Sequence, residues 1–239
     1  MNIRKNIPNA LTCCNLIAGC CACWLAFNGN CYGALAAVLT AGLFDFADGL
    51  AARWLNACSS IGKDLDSLSD IVSFGLAPAI MIYRFIDGLQ QSVEWSYPLA
   101  GQFFALSALV VPVCSALRLA KFNNDERQAV SFIGLPVPAH AFLWTSLVCW
   151  LTMSGYALPA VPTLVTVAVC VVATSLLMVS EVPMFSLKIK SLAWKGNEKR
   201  YILLCLSVVF ILFFRVLGIA LTIVSYILLA IINKKNKSE

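Results

Sequence analysis

The chain reads as an all-α protein: a polytopic membrane helix bundle of about eight transmembrane helices with both termini cytoplasmic. Three observations carry that reading. Of its 239 residues, 60% are hydrophobic and 12% charged, against roughly 45–50% apolar and about 25% charged in a soluble domain. The apolar residues gather into runs of about 20, the length that crosses a hydrocarbon core as a helix. The basic residues cluster between alternate runs, as the positive-inside rule requires of a multi-pass protein. The net charge of +5 therefore points to topology and anionic headgroups rather than nucleic acid, because no long basic face forms.

The spans follow in order as 9–28, 32–55, 67–87, 97–119, 136–154 and 160–181. The first, preceded by Arg4 and Lys5, has the outline of a secretory signal. Pro8, Asn9, Thr12 and Asn15 interrupt it and it runs past a signal core, so it is expected as a retained helix. The apolar stretch from Tyr201 to Ile232 is too long for one span, and Arg215 with Gly218 near its middle marks a break into two short helices. Between the sixth span and this stretch, residues 182–200 mix Met184, Phe185, Leu187, Ile189, Leu192 and Trp194 with five basic residues. That mixture suits either a segment lying on headgroups or a solvated basic loop.

Sidedness tests the count. Arg4 and Lys5, then Arg53 and Lys63, then Arg118, Lys121 and Arg127 all fall on one side when there are eight spans. So do the basic residues of 188–200 and Lys234, Lys235 and Lys237, with Arg84 and Arg215 the two exceptions. This places the termini, and any site among those loops, at the cytoplasmic face of an inner membrane. The eleven cysteines lie mostly inside apolar runs with no histidine-supported CxxC pair, and are expected as packing residues rather than redox or metal groups.

Against this background the carboxylates are costly. An aspartate at the centre of a membrane helix costs about 2.5–3.5 kcal/mol on insertion scales, yet Asp45 and Asp48 lie inside the second run and Asp70 opens the third. Residues three and four apart share a helix face, so Asp45, Asp48, Gly49, Ala52 and Arg53 make one stripe, and Gly62, Asp66 and Asp70 another. The polar stretch Asn56–Ser60 joins them as an antiparallel hairpin. Counted from Ser59, Asp48 and Asp70 are expected at equal depth. Gly49 and Ala52 keep the face shallow beside the acids, and Arg53 offers a bidentate donor to phosphate. Carboxylates without histidine or thiolate suit a hard cation such as Mg2+ or Mn2+. Read from residues alone, a metal site acting on a diphosphate and an ion path through a transporter both remain open.

The spacing Asp45-x2-Asp48-Gly49-x2-Ala52-Arg53-x8-Gly62-x3-Asp66-x3-Asp70 resembles the defining motif of the CDP-alcohol phosphatidyltransferases at every fixed position. Further segments, IPNALTCCNLIAG (7–19), ALRLAKFN (116–123), FIGLPVPAHA (132–141) and MVSEVPMFSLK (178–188), are similar to its membrane-integrated phosphatidylserine synthase branch. The resemblance implies a catalytic helix bundle over 1–190, followed by two C-terminal transmembrane helices with a basic tail over 191–239. It implies a homodimer, with two metal ions held by Asp45, Asp48, Asp66 and Asp70, and with Asp70 also acting as base. Gly49, Ala52, Arg53 and Gly62 would line the CDP-lipid site.

The expected reaction is transfer of the phosphatidyl group of CDP-diacylglycerol to L-serine, giving phosphatidylserine and CMP. The same chemistry on glycerol 3-phosphate, inositol phosphate or choline is the nearest alternative. Arg118, which ends the fourth run, is the candidate for the serine carboxylate, with Lys121 and Asn123 in support; its plainer role is a helix-end arginine snorkelling to the interface. Asn15 is a candidate contact to the cytidine or ribose, or else an interhelical hydrogen bond. His140, the only histidine, is expected as a pore or packing residue.

Overall fold

The first two apolar runs fold back on each other because small residues let them approach. Helices α1 (Ile3–Phe27) and α2 (Cys31–Trp54) bury Ala18, Ala22 and Ala26 on one side and Ala34, Val38 and Ala41 on the other, the small-residue packing that holds membrane helices together. Asn30 caps α2, its side chain accepting from the Gly33 amide at 2.9 Å. The computed structural model describes residues 3–93, 98–125, 132–155, 159–184 and 197–238.

The second hairpin turns on Asn56, whose backbone is left-handed at φ 48°, a conformation asparagine tolerates better than most residues. Ser59 then caps α3 (Ser60–Asp70), accepting from the Gly62 amide at 3.0 Å. Helix α3 runs without interruption through a π-helical turn (Ile71–Leu76) into α4 (Ala77–Gln90). The turn has an identifiable cause: Pro78 offers no amide hydrogen, and its ring crowds the carbonyl four residues back, at Phe74. Widening the helix there absorbs the misfit, and such turns recur beside functional sites.

The later elements are α5 (Pro98–Leu106), continued through a 3-10 turn (Ser107–Leu109) into α6 (Val110–Asn124), then α7 (Val137–Met153), α8 (Ala160–Val179), α9 (Glu198–Phe214) and α10 (Val216–Ser238). Helical segments therefore stand at all eight expected places. The break expected at Arg215 and Gly218 is there: Arg215 adopts φ 50°, and a Cβ on Gly218 would lie 2.2 Å from the Phe210 carbonyl oxygen. Five segments, Asn6–Phe27, Cys31–Trp54, Ser60–Gln90, Gln102–Asn124 and Ala160–Val179, are long and apolar enough to cross a membrane, while α7 and Val216–Ile232 are shorter apolar helices. Most of the segment 182–200, and with it the expected boundary at 190, lies outside the described residues.

One feature departs from the all-α expectation. Strands β1 (Phe132–Ile133) and β2 (Pro183–Met184) pair antiparallel, and the clamp continues through Gly134 N–H to the Val182 carbonyl at 2.8 Å and Leu135 N–H to the Leu177 carbonyl at 3.2 Å. Gly134 sits at φ 76°, with a notional Cβ 2.3 Å from the Met178 carbonyl oxygen, so a side chain fits neither the backbone nor the space. Among the described residues, two short strands beside ten α-helices leave the architecture all-α.

The outer surface is apolar: Trp24, Leu43, Phe46, Leu212 and Phe213 are each more than 60% exposed. Patches of that kind exceed what water tolerates on a monomer. Backbone groups are satisfied within the helices, the solution a bilayer demands. The chain is an integral membrane protein. All eleven cysteines are free, and His140 packs fully buried between α7 and α8, its Nε2 3.1 Å from Thr174 Oγ1 and its Nδ1 without a partner.

Candidate active site

Asp45 and Asp48 descend one face of α2, and Asp66 descends α3 toward them. Each offers an oxygen within 4.8 Å of the others. Asp48 lies six residues before the end of α2 and Asp66 six residues into α3, so at 1.5 Å per residue both sit about 9 Å from their hairpin ends. The count from Ser59 paired Asp48 with Asp70 instead. It is off by one helical turn because the turn at 55–59 is centred on Ala57, not on Ser59. Asp70 stands a turn further along, 6% exposed and within electrostatic range of Asp45 and Asp66.

Helix α1 supplies the second layer. Thr12 gives its single hydroxyl proton to Asp48 Oδ2 at 2.7 Å, in competition with the Pro8 carbonyl at 3.0 Å. Asn15 donates through Nδ2 to Asp70 Oδ1 at 3.1 Å, and its own Oδ1 accepts from Ser73 Oγ at 2.7 Å. Ser73 belongs to the π turn, and α1 reaches it closely because residue 19 is glycine: a Cβ there would lie 2.3 Å from Ser73 Oγ. Asn15 is fully buried and its amide is committed on both sides, which is the interhelical alternative rather than contact with a nucleotide. Thr12 and Ser73 were not singled out from sequence, although the three-residue spacing of Asn9, Thr12 and Asn15 in an apolar helix marked a polar stripe.

Beside the acids opens a cavity of about 540 Å3, lined by Asn9, Thr12, Asp48, Gly49, Ala52, Ser59, Gly62, Lys63 and Asp66 among others. Gly49 and Ala52 form its wall as the spacing suggested. A Cβ on Gly49 would meet nothing nearer than Arg53 Nη2 at 3.9 Å, whereas one on Gly62 would press on Asn9 Oδ1 and Ser59 Oγ at 3.0 Å. A methyl group at 62 would crowd two side-chain oxygens, whereas one at 49 would meet open space. Arg53 is exposed and donates from Nε to the Gly49 carbonyl at 2.8 Å, standing at the rim rather than in the lining. Lys63, expected from sequence as a cytoplasmic-side charge and a candidate partner of the acids, lines the cavity and donates to the Asn123 carbonyl at 2.7 Å.

The acceptor candidates separate. Arg118 and Lys121 line a second cavity of about 250 Å3 together with Asn124, Asp125, Met178, Ser180 and Glu181. Arg118 is 5% exposed, its Nε lacks a partner, and it lies in electrostatic range of Asp70 and Tyr226. Snorkelling does not describe a guanidinium so buried. Asn123 does not line this cavity: its amide donates to Ser67 Oγ at 2.8 Å, bracing α6 against α3, and the neighbouring Asn124 faces the cavity in its place.

The carboxylate cluster fits a divalent cation. At 4.8 Å and an effective dielectric near 20, each pair of unit negative charges repels by roughly 3–4 kcal/mol. Among the described residues no lysine or arginine forms an ion pair with Asp45, Asp48, Asp66 or Asp70, the ion pair present being Arg84–Asp87 at 3.8 Å. Asp66 Oδ1 is buried without any partner. An all-oxygen donor set with an unspent buried lone pair is the chemistry of Mg2+ or Mn2+.

Known proteins are similar to this chain over up to 74% of its length. The CDP-diacylglycerol–serine O-phosphatidyltransferase of Bacillus subtilis is 37% identical over 132 residues, covering 55% of this chain and 69% of that protein. The archaetidylserine synthase of Methanothermobacter thermautotrophicus is 32% identical over 181 residues, 74% of this chain and 68% of its own length. The Mycobacterium leprae CDP-diacylglycerol–serine O-phosphatidyltransferase is 30% identical over 193 residues, 74% of this chain but 57% of its own length. The sequence model of the CDP-alcohol phosphatidyltransferases matches residues 5–179, a stretch that holds all four aspartates, both cavity walls on α2 and α3, and Arg118. The chain belongs to the CDP-alcohol phosphatidyltransferase family.

Proposed function

We propose that the chain transfers the phosphatidyl group of CDP-diacylglycerol to L-serine, releasing CMP, at a site opening to the cytoplasm. The observation that carries the reading is the meeting of Asp45, Asp48 and Asp66 beside a cavity walled by Gly49 and Ala52. An ion path gains nothing from that flat wall, whereas a base and sugar need it. Serine as acceptor draws on the names of the relatives and on Arg118, a buried cation with a free donor.

In this reading the CDP end of the donor lies along Gly49, Ala52 and Gly62, with Lys63 in the lining and Arg53 at the rim for its phosphates. The acyl chains stay in lipid. Asp45, Asp48, Asp66 and Asp70 would hold Mg2+ or Mn2+, which would supply positive charge to offset the negative charge of an in-line displacement. Arg118 fixes the serine carboxylate, and the hydroxyl points to Asp70, whose Oδ1 is held by Asn15. A serine hydroxyl is a weak nucleophile at neutral pH, so a positioned base is required. As the hydroxyl oxygen bonds to the phosphorus nearest the diacylglycerol, its proton passes to Asp70 and the bond to CMP breaks. Asn15, clamped by Ser73, keeps that carboxylate from rotating away. The domain division at 190 and a homodimer belong to the same proposal.

The test is CMP release by the membrane-embedded or detergent-solubilised chain, given CDP-diacylglycerol with manganese or magnesium and, in turn, L-serine, glycerol 3-phosphate, inositol phosphate and choline. Serine-dependent CMP that disappears with a chelator is expected. Release with another acceptor and none with serine would overturn the acceptor. No release with any of them would overturn the reaction.

A further inference from the structure

We propose that the acceptor pocket is bipolar, with Glu181 binding an ammonium group opposite Arg118, so that it selects a zwitterionic amino alcohol over a phosphorylated alcohol. The inference rests on the acceptor reading above and assigns it a residue. At about 250 Å3 the pocket falls below the roughly 300–1,000 Å3 typical of drug-sized ligands, which suits an acceptor of few heavy atoms. Its described lining holds two cations, Arg118 and Lys121, and two anions, Asp125 and Glu181. Arg118 is buried with Nε unspent, and Lys121 donates to the Val179 carbonyl at 3.1 Å.

Glu181 follows the end of α8 in a backbone pinned on both sides. Ser180 Oγ donates to the Leu177 carbonyl at 2.8 Å, and the Val182 carbonyl accepts from the Gly134 amide at 2.8 Å. The backbone that carries this exposed carboxylate is thus held at the edge of the pocket, without the ordering cost that a free loop pays on binding. Serine brings one negative and one positive group and meets one of each. A phosphate ester brings up to two negative charges and no cation, and leaves Glu181 facing it without a partner. Selection of this kind works as much by penalising the wrong acceptor as by holding the right one.

The experiment is steady-state CMP release by the full chain with CDP-diacylglycerol, using L-serine, L-glycerate, which keeps the configuration and lacks the ammonium, ethanolamine, which lacks the carboxylate, and glycerol 3-phosphate. Wild-type protein should use glycerate and ethanolamine at well under a tenth of the kcat/KM for serine. Glu181→Gln should raise the serine KM about tenfold, the size of one charge-assisted hydrogen bond, leave the KM for CDP-diacylglycerol in place, and narrow the preference for serine over glycerate. Equal turnover of glycerate and serine by wild type overturns the proposal without any variant. So does an unchanged serine KM in Glu181→Gln, or an equal rise in both KM values. Serine-dependent release with a silent Glu181→Gln removes this inference alone. Release with glycerol 3-phosphate in place of serine removes the acceptor reading and this inference together.

Discussion

The two cavities are built in opposite ways. The larger comes from residues 8–66, three helices joined by two tight turns, with its acids spaced by helical periodicity. The smaller gathers Arg118 and Lys121 from α6, Ile133 from a strand and Met178 to Glu181 from the end of α8, segments separated by whole membrane spans. The first depends on register within a hairpin; the second depends on how the bundle closes. If the donor and the chemistry belong to the first and the acceptor to the second, damage to one should appear in turnover and damage to the other in acceptor affinity.

The largest effect should come from the acids. Asp70→Asn keeps the volume and removes the base, and is expected to lower kcat by about 1,000-fold, within the 100- to 10,000-fold range of general-base catalysis. Asp66→Asn should do comparable harm, with manganese or magnesium required at higher concentration. CMP release at saturating CDP-diacylglycerol and serine measures both. Asp70→Asn turning over at the wild-type rate would sink the base assignment.

Next in size is Arg118. Replacing it with alanine should lower kcat/KM for serine about 100-fold, the cost of removing one partner of a desolvated charge pair, chiefly through KM. The KM for CDP-diacylglycerol should hold. A loss confined to kcat would place Arg118 with the chemistry instead and erase the distinction between the cavities.

The same contrast explains what the sequence made legible. The eight helical segments, the break at Arg215 and the stripe of Asp45, Asp48, Gly49 and Ala52 follow from local rules, because a helix fixes which residues share a face. The depth error that paired Asp48 with Asp70 came from counting from Ser59, whereas the turn at 55–59 is centred on Ala57. The π turn was invisible for a related reason: Pro78 announces a disturbance but not how the helix absorbs it. Asn123 was expected beside Arg118, whereas Asn124 lines the cavity, because proximity in sequence does not say which side of α6 looks into a cavity. The strand clamp through Gly134, which brings residues 178–181 to Arg118, joins segments more than forty residues apart, and no periodicity reports a pairing at that range. Residues 132–135 and 177–184, which overlap two of the segments that resembled the family, meet there.

A smaller effect should follow from loosening the α1 layer. Asn15→Leu removes the donor to Asp70 and leaves Ser73 without its Oδ1 acceptor. Losses from residues that orient metal or catalytic carboxylates run from about 10- to 100-fold. The lower end is expected in kcat, with the serine KM unmoved because Arg118 is untouched. A shift in serine KM alone would show that the two cavities communicate through Asp70.

The smallest effect is also the sharpest test of the cavity wall. Glycine within a helix is less favourable than alanine by roughly 0.8–1 kcal/mol, and at position 49 the chain itself gives no reason for glycine, since a Cβ would approach nothing closer than 3.9 Å. Gly49→Ala should therefore raise thermal stability in detergent, by up to about 1 kcal/mol. A methyl group projecting into the donor's cavity should at the same time raise the KM for CDP-diacylglycerol by about threefold to tenfold, the effect of roughly 1 kcal/mol of crowding. Stability and affinity would then move in opposite directions, which a purely structural glycine cannot produce. Gly62→Ala provides the contrast, because its Cβ meets Asn9 and Ser59 at 3.0 Å and should lower stability and affinity together. If Gly49→Ala gains stability with CDP-diacylglycerol binding unchanged, the flat wall beside the acids is not where the nucleotide lies.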